Sequence, residues 1–145
     1  MRLVVQRVSS ASVKVAGETV GEIGRGLLVL VGIERGDGKE AVRAAAGKLA
    51  GLRIFEDGAG KMNLDIAAAG GAFLIVSQFT LAGSVDRGRR PSFDRAAPPE
   101  EAQPLVDALV EDLRGRGFRV ETGRFRAAME VALVNDGPVT LVADF

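Results

Sequence analysis

Apolar and polar positions divide this chain into short unbroken apolar runs and two stretches of helical period. The run AFLIV at Ala72 to Val76 has no polar interruption, and GLLVLVGI, Gly26 to Ile33, is a second of the same kind. Runs this short predict strands buried on both faces, because burial on both sides erases the alternation of a half-exposed strand. The first run continues through Ser77, Gln78, Phe79 and Thr80 to Leu81, so one strand is expected over Ala72 to Leu81 with a polar end. An unpaired polar group there costs about 1 to 3 kcal/mol. Either a neighbouring turn satisfies those groups or a ligand does.

Around these runs the pattern is regular. RLVVQRV at residues 2 to 8 alternates weakly, and Ser12 to Val15 and Thr19 to Ile23 flank the turn Ala16, Gly17, Glu18, which predicts a hairpin. Asp37 followed by Glu40 has capping-box spacing, and Val42, Ala45, Ala46, Leu49 and Leu52 recur at three and four, predicting an amphipathic helix. Pro98 to Glu101 starts a second helix with buried positions Ala102, Leu105, Val106, Leu109, Val110 and Leu113, stopped by Gly115 and Gly117. Further strands are expected at Arg53 to Phe55, Phe118 to Val120, Met129 to Val134 and Val139 to Ala143. Strands with two separated helices, lacking strict alternation, predict an α+β (mixed α/β) fold, mainly β sheet, in a single domain over residues 1–145.

Composition narrows the chemistry. The chain has no His and no Cys, so it holds no Ser-His-Asp triad, Cys-His pair, disulfide or ordinary zinc site. No metal or other cofactor is expected. No long apolar segment or leader pattern is seen, which predicts a cytoplasmic protein without membrane attachment. Nineteen basic and nineteen acidic residues cancel, yet fifteen of the basic residues are Arg and they cluster. One cluster, Arg87, Arg89 and Arg90, lies in the aperiodic stretch Ala82 to Ala97, long enough to suggest function. Such clusters serve either as phosphate contacts or as solvated surface. Asn135-Asp136-Gly137-Pro138 reads as an ordinary turn between two strands or as a cis Gly-Pro bond that aims two carbonyls to one side.

Taken together, VSQFTL (76–81), RGRRPSF (87–93), RIFEDGAGKMNL (53–64), GEIGRGLLVLVGIE (21–34) and LVNDGPVT (133–140) resemble the D-aminoacyl-tRNA deacylase family, in their order along the chain and at these spacings. The resemblance runs from Met1 to about Thr140; the second helix adds little to it. It implies a homodimer that hydrolyses the ester between tRNA and a D-amino acid, or glycine mischarged on another tRNA. It implies a catalytic segment at Ser77, Gln78, Phe79 and Thr80, receiving the aminoacylated 3′ adenosine. It also implies a cis Gly137-Pro138 pair from the partner subunit that inspects chirality. Arg7 matches an arginine that holds the Gly-Pro loop, and Met129 a pocket residue; the bland alternatives are a strand-edge charge and core filling. An aminoacyl ester is already activated and carries a neighbouring 2′ hydroxyl, so backbone donors around Gln78 to Thr80 can suffice without histidine. Thr80 as nucleophile ranks lower, since it lacks a base. Rival readings are a non-catalytic RNA-binding module, weakened by seven Phe and no Tyr or Trp, and an esterase for small D-amino acid derivatives.

Overall fold

The computed structural model describes residues 1–145. Strand β1 (Arg2–Val15) turns through Ala16 and Gly17, both at positive φ, into β2 (Glu18–Ile23). Strand β3 (Gly26–Gly32) then continues the same ladder: Ala11↔Ile23 passes without slippage into Val8↔Gly26 and ends at Arg2↔Gly32. One edge of β1 is thereby filled by β2 and β3 in succession. Its other edge pairs with the long final strand β8 (Glu130–Asp144). Strand β6 (Ala72–Ser77) lies parallel to β3, and β7 (Val120–Thr122) parallel to β6.

Along the path β2-β1-β3-β6-β7 the sheet curls until its two ends meet. Gly21 of β2 lies so close to the Thr122 carbonyl of β7 that a Cβ there would stand 2.4 Å from it. The result is a nearly closed barrel, which explains why β3 and β6 are apolar on both faces. Leu28, Leu74 and Val76 join Val8, Val13 and Ile23 in a small core on one face. Leu27, Val29, Val31, Phe73 and Ile75 point the other way, into a larger core beneath two helices that pack on each other, α1 (Lys39–Gly51) and α2 (Pro99–Gly115). A small hairpin, β4 (Phe55–Glu56) with β5 (Met62–Leu64), completes the fold. No helix is long and apolar enough to cross a membrane.

Several expectations are corrected. The strand expected to reach Leu81 ends at Ser77; Phe79–Ala82 is a 3₁₀ turn, because the Gln78 N–H closes the ladder on the Val31 carbonyl and β3 stops one residue later. The capping box does not form. Gly38 occupies the N-cap, and the Asp37 carboxylate instead accepts bonds from the Met1 ammonium (2.6 Å) and the Glu34 N–H (2.7 Å). The strand expected at Phe118 to Val120 is shifted to Val120–Thr122, and that at Arg53 to Phe55 to Phe55–Glu56. Pro104 is accommodated inside α2 at an exposed position early in the helix.

The two final strands expected on either side of Asn135-Asp136-Gly137-Pro138 form one strand, and the tetrapeptide is no hairpin turn. It is a bulge in β8: Gln6 pairs with Thr140 and Val8 with Asn135, so five steps of β8 cover two of β1 and the excess loops outward.

Candidate active site

The end of β6 forms one wall of a cavity of about 550 Å³. Ser77 and Gln78, both half-buried, line it together with the exposed Phe79. Close packing holds this turn in place. A Cβ on Gly32 would lie 2.8 Å from Leu81 Cβ and 3.1 Å from the Gln78 carbonyl oxygen, so the turn rests directly on β3 backbone. The Leu81 N–H bonds the Gln78 carbonyl and the Gly83 N–H the Thr80 carbonyl, whereas the N–H groups of Phe79 and Thr80 find no acceptor within the chain. Phe79, which lines the cavity, and its neighbour Thr80 thus carry two adjacent unbonded backbone donors, the kind of pair that can meet an oxygen anion.

Much of the rest of the lining comes from elements on which sequence reasoning placed no pocket residue, although Arg124 and Arg126 form one of the Arg clusters. Ala97, Pro99 and Ala102 bring the start of α2, and Phe125, Arg126 and Ala127 bring the connection from β7 to β8, in which Arg126 is held at φ +61°. Met129 lines the cavity as well, and its sulfur lies 2.6 Å from where a Cβ on Gly123 would stand, so Gly123 gives it room. The lining is mostly apolar, with Ser77 and Gln78 from the end of β6 and Arg126 from the β7 to β8 connection as its polar side chains.

Thr80 stands apart from Ser77, Gln78 and Phe79. It is exposed, is not part of the cavity lining, and its hydroxyl accepts a hydrogen bond from Gln78 Nε2. No basic group is bonded to it.

Gly137 and Pro138 lie outside this cavity, exposed, on the bulge of β8. Their peptide bond is cis, and Gly137 is at φ +137°. The base of the bulge is tied down from both sides. Asn135 Oδ1 accepts from the Val139 N–H (2.9 Å), and its Nδ2 donates to Thr140 Oγ1 (2.8 Å). From beneath, Arg7 donates from Nε to the Asp136 carbonyl (3.0 Å) and from Nη1 to the Ile54 carbonyl (2.6 Å), with the Asp136 carboxylate 3.4 Å away. Arg7 is the only polar residue among the buried ones, at 4% exposure, which rules out an ordinary strand-edge charge.

Arg87, Arg89 and Arg90 sit on an exposed loop pinched shut by paired backbone bonds between Ser84 and Ser92 (2.8 and 2.9 Å), and none of the three forms an ion pair within the chain. The root of the loop touches the site, for Phe93 packs edge-on against Phe79 with ring centres 5.2 Å apart. No group of three or more carboxylates is arranged to hold a metal ion.

The family pattern described as D-Tyr-tRNA(Tyr) deacylase matches residues 4–144 of this chain. The chain belongs to that family. D-aminoacyl-tRNA deacylases from Anaeromyxobacter dehalogenans (strain 2CP-C) and Symbiobacterium thermophilum (strain DSM 24528 / JCM 14929 / IAM 14863 / T) are 60% and 61% identical to it over 144 residues, 99% of this chain and 97% and 95% of theirs. The solved structure of a c-Myc DNA Unwinding Element Binding Protein has a TM-score of 0.93 at 40% identity, covering 100% of this chain and 99% of that one. A second solved structure, of a probable eukaryotic D-amino acid tRNA deacylase, has a TM-score of 0.86 at 22% identity over 99% and 98% of the two chains, a likeness of fold. Membership in the deacylase family makes the chain an ester hydrolase of D-aminoacyl-tRNA. Its substrate is therefore an ester already activated for attack.

Proposed function

We propose that Ser77, Gln78 and Phe79 receive the aminoacylated 3′ adenosine of tRNA, and that the chain acts as a homodimer in which Gly137 and Pro138 of the partner subunit reach over this cavity to select the D configuration. The observation that carries this reading is a division of parts. Phe79, which lines the cavity, and Thr80 beside it carry N–H groups with no acceptor in the chain, while the cis Gly137-Pro138 turn is exposed on the bulge of β8 and forms no part of that cavity's lining.

Strand β8 supplies the means of joining the two. Its outer edge is unpaired along 15 residues, and it bears four of the chain's seven exposed large apolar residues, Leu133, Val134, Leu141 and Val142. A long apolar edge is a surface that proteins ordinarily cover.

In the reaction, water attacks the ester carbonyl carbon and the carbonyl oxygen gains negative charge. The Phe79 and Thr80 N–H groups stabilise that charge, a contribution worth about 3 to 4 kcal/mol per donor in a site closed to water. The bond to the ribose oxygen then breaks, and the amino acid and tRNA leave. The ribose 2′ hydroxyl positions the water, which accounts for the absence of a histidine base. The Gly137 and Pro138 carbonyls bind the substrate ammonium and occupy the space an L side chain needs, so D-amino acids and glycine enter and L-amino acids do not. Arg87, Arg89 and Arg90 contact tRNA phosphates, and the protein works in the cytoplasm where charged tRNA is used.

Rates of amino acid release from D-Tyr-tRNA, L-Tyr-tRNA and glycyl-tRNA test the proposal. Release from the D-tyrosyl and glycyl forms with L-Tyr-tRNA left intact is expected; equal rates on D and L forms overturn the selection mechanism. Binding of charged tRNA without release of amino acid would favour a nucleic-acid-binding module instead, the reading toward which the name of the 40% identical DNA Unwinding Element Binding Protein leans.

A further inference from the structure

A second cavity, of about 340 Å³, opens between α2 and the ends of β6 and β7. It shares Ser77 and Phe125 with the first, so Phe125 is a partition between two adjoining chambers. Its chemistry differs from that of its neighbour. Gln103 and Asp107 project into it from α2 and Arg124 from the β7 to β8 connection, and none of these three side chains has a hydrogen bond or ion pair within the chain. Glu111 and Arg114 on the same wall are, by contrast, already paired at 3.1 Å. A carboxylate, an amide and a guanidinium, all three exposed, therefore line one concave surface without partners.

We propose that this second chamber takes the cytidine that precedes the terminal adenosine of tRNA. The inference rests on the deacylase reading, which seats the adenosine next door. A cytosine presents an amino donor at N4 beside ring acceptors. Asp107 accepts from N4, Gln103 and Arg124 donate to the acceptors, and Phe125 provides an aromatic edge between the two bases. Single-stranded RNA ends are read in this way, by edge hydrogen bonds and aromatic contact on splayed bases. Uracil carries an acceptor where cytosine carries its amino group, and meets the Asp107 carboxylate with like polarity. Because mature tRNAs share the same terminal nucleotides, such a chamber grips the substrate without regard to the amino acid or to the rest of the tRNA.

The test uses hydrolysis-resistant analogues in which a D-tyrosyl amide replaces the ester: the 3′-amino-adenosine alone, and the same group extended to CpA or UpA. Calorimetry on the wild-type protein is expected to give about tenfold tighter binding for the CpA analogue than for adenosine alone, the lower range of a specific base contact, and little gain for UpA. Asp107→Ala removes the preference for C over U, and Arg124→Ala removes the gain from CpA. Both leave the affinity of the adenosine analogue unchanged. Equal affinity for the adenosine and CpA analogues overturns the proposal, as do variants that weaken both analogues alike. These affinities are read without turnover, so a failure to release amino acid from D-Tyr-tRNA would strike the deacylase reading by itself, in a separate assay.

Discussion

Arg7 donates its Nε hydrogen to the carbonyl of Asp136 across 3.0 Å, joining the first strand to the residue just before the Gly-Pro pair. The same guanidinium spends Nη1 on the Ile54 carbonyl at 2.6 Å, and its Nη2 lies 3.2 Å from where a Cβ on Gly137 would stand. Its planar fork therefore sets the height of the bulge above β1. Arg7→Lys keeps the charge but cannot reach two carbonyls in one plane. Leaving one buried carbonyl unpaired costs about 1 to 3 kcal/mol. The expected result is a lower melting temperature with a larger relative loss in discrimination between D-Tyr-tRNA and L-Tyr-tRNA than in the rate on D-Tyr-tRNA. A variant that loses stability but discriminates as well as wild type would remove Arg7 from selectivity.

Gly32 gives the turn from Gln78 to Leu81 its seat. A methyl group there would stand 2.8 Å from Leu81 Cβ and 3.1 Å from the Gln78 oxygen, and the turn is the lighter partner, since β3 is held on both sides by ladders. Gly32→Ala is expected to move the Phe79 and Thr80 donors by a fraction of an ångström to an ångström. Displacement of that size costs up to about a hundredfold in rate. Single-turnover deacylation should show kcat falling with KM little changed, and near-wild-type kinetics would mean the turn yields without moving its donors.

Thr80 is exposed, outside the cavity lining, and engaged as acceptor to Gln78. An alcohol that serves as acceptor to an amide, with no base to take its proton, is poorly disposed to attack an ester. Thr80→Val, which keeps the backbone N–H, is expected to retain deacylation within about tenfold, the scale of losing a supporting hydrogen bond. A loss of several thousandfold with the fold intact would restore Thr80 as nucleophile.

How much of this was legible from residues alone depends on whether the deciding interaction was local. The runs 26–33 and 72–76 announced central strands because a barrel wall covered on both faces leaves no polar positions, and Pro98-Pro99 and Gly115 marked the ends of α2 by backbone constraints that act within a few residues. Asp37 misled because its cap role lost to the Met1 ammonium, which arrives only through folding. Asn135 to Pro138 looked like a turn because composition reports φ preferences and not register; only pairing with Gln6 and Val8 makes it a bulge. Arg126 stood out only as part of an Arg cluster with Arg124, and Phe125 and Ala127 gave no signal. Their part in the cavity follows from where β7 and β8 place the two ends of the connection.

Asp57 supports Arg7 at one remove, by shaping the hairpin that follows the Ile54 carbonyl. Its carboxylate accepts from Asn63 Nδ2 (2.9 Å) and from the Ala59 and Lys61 N–H groups (2.8 and 3.0 Å). The Asn63 bond first, then those backbone donors, hold its pKa below the usual carboxylate value. A depressed folded-state pKa contributes stability that is present above the unfolded value, about 3.9, and is lost as pH falls through the folded one. Asp57→Asn is therefore expected to melt below wild type at neutral pH, with the gap closing in acid below the carboxylate range. A gap that stays constant with pH would assign the loss to hairpin geometry and not to the charge.

Strand β8 carries the remaining prediction, because the proposed selection works only across subunits. If each cavity is served by the turn of the partner subunit, two defective chains can repair each other. Gly137→Val damages the turn, since a side chain there meets Val139 N at 2.9 Å and Val139 Cγ2 at 2.8 Å in a backbone already at positive φ. Gly32→Ala damages the cavity. Unfolding and refolding the two variants together lets mixed dimers form, and each mixed dimer pairs one sound cavity with one sound turn from opposite chains. Selective release from D-Tyr-tRNA should then rise above either parent, to about a quarter of wild type, since half of random pairings in a twofold dimer are mixed and each has one good site. Val142→Lys on the exposed apolar edge should abolish this rescue and leave a monomer by sedimentation. Activity in the mixture no greater than the average of the parents would mean that turn and cavity do not meet between chains.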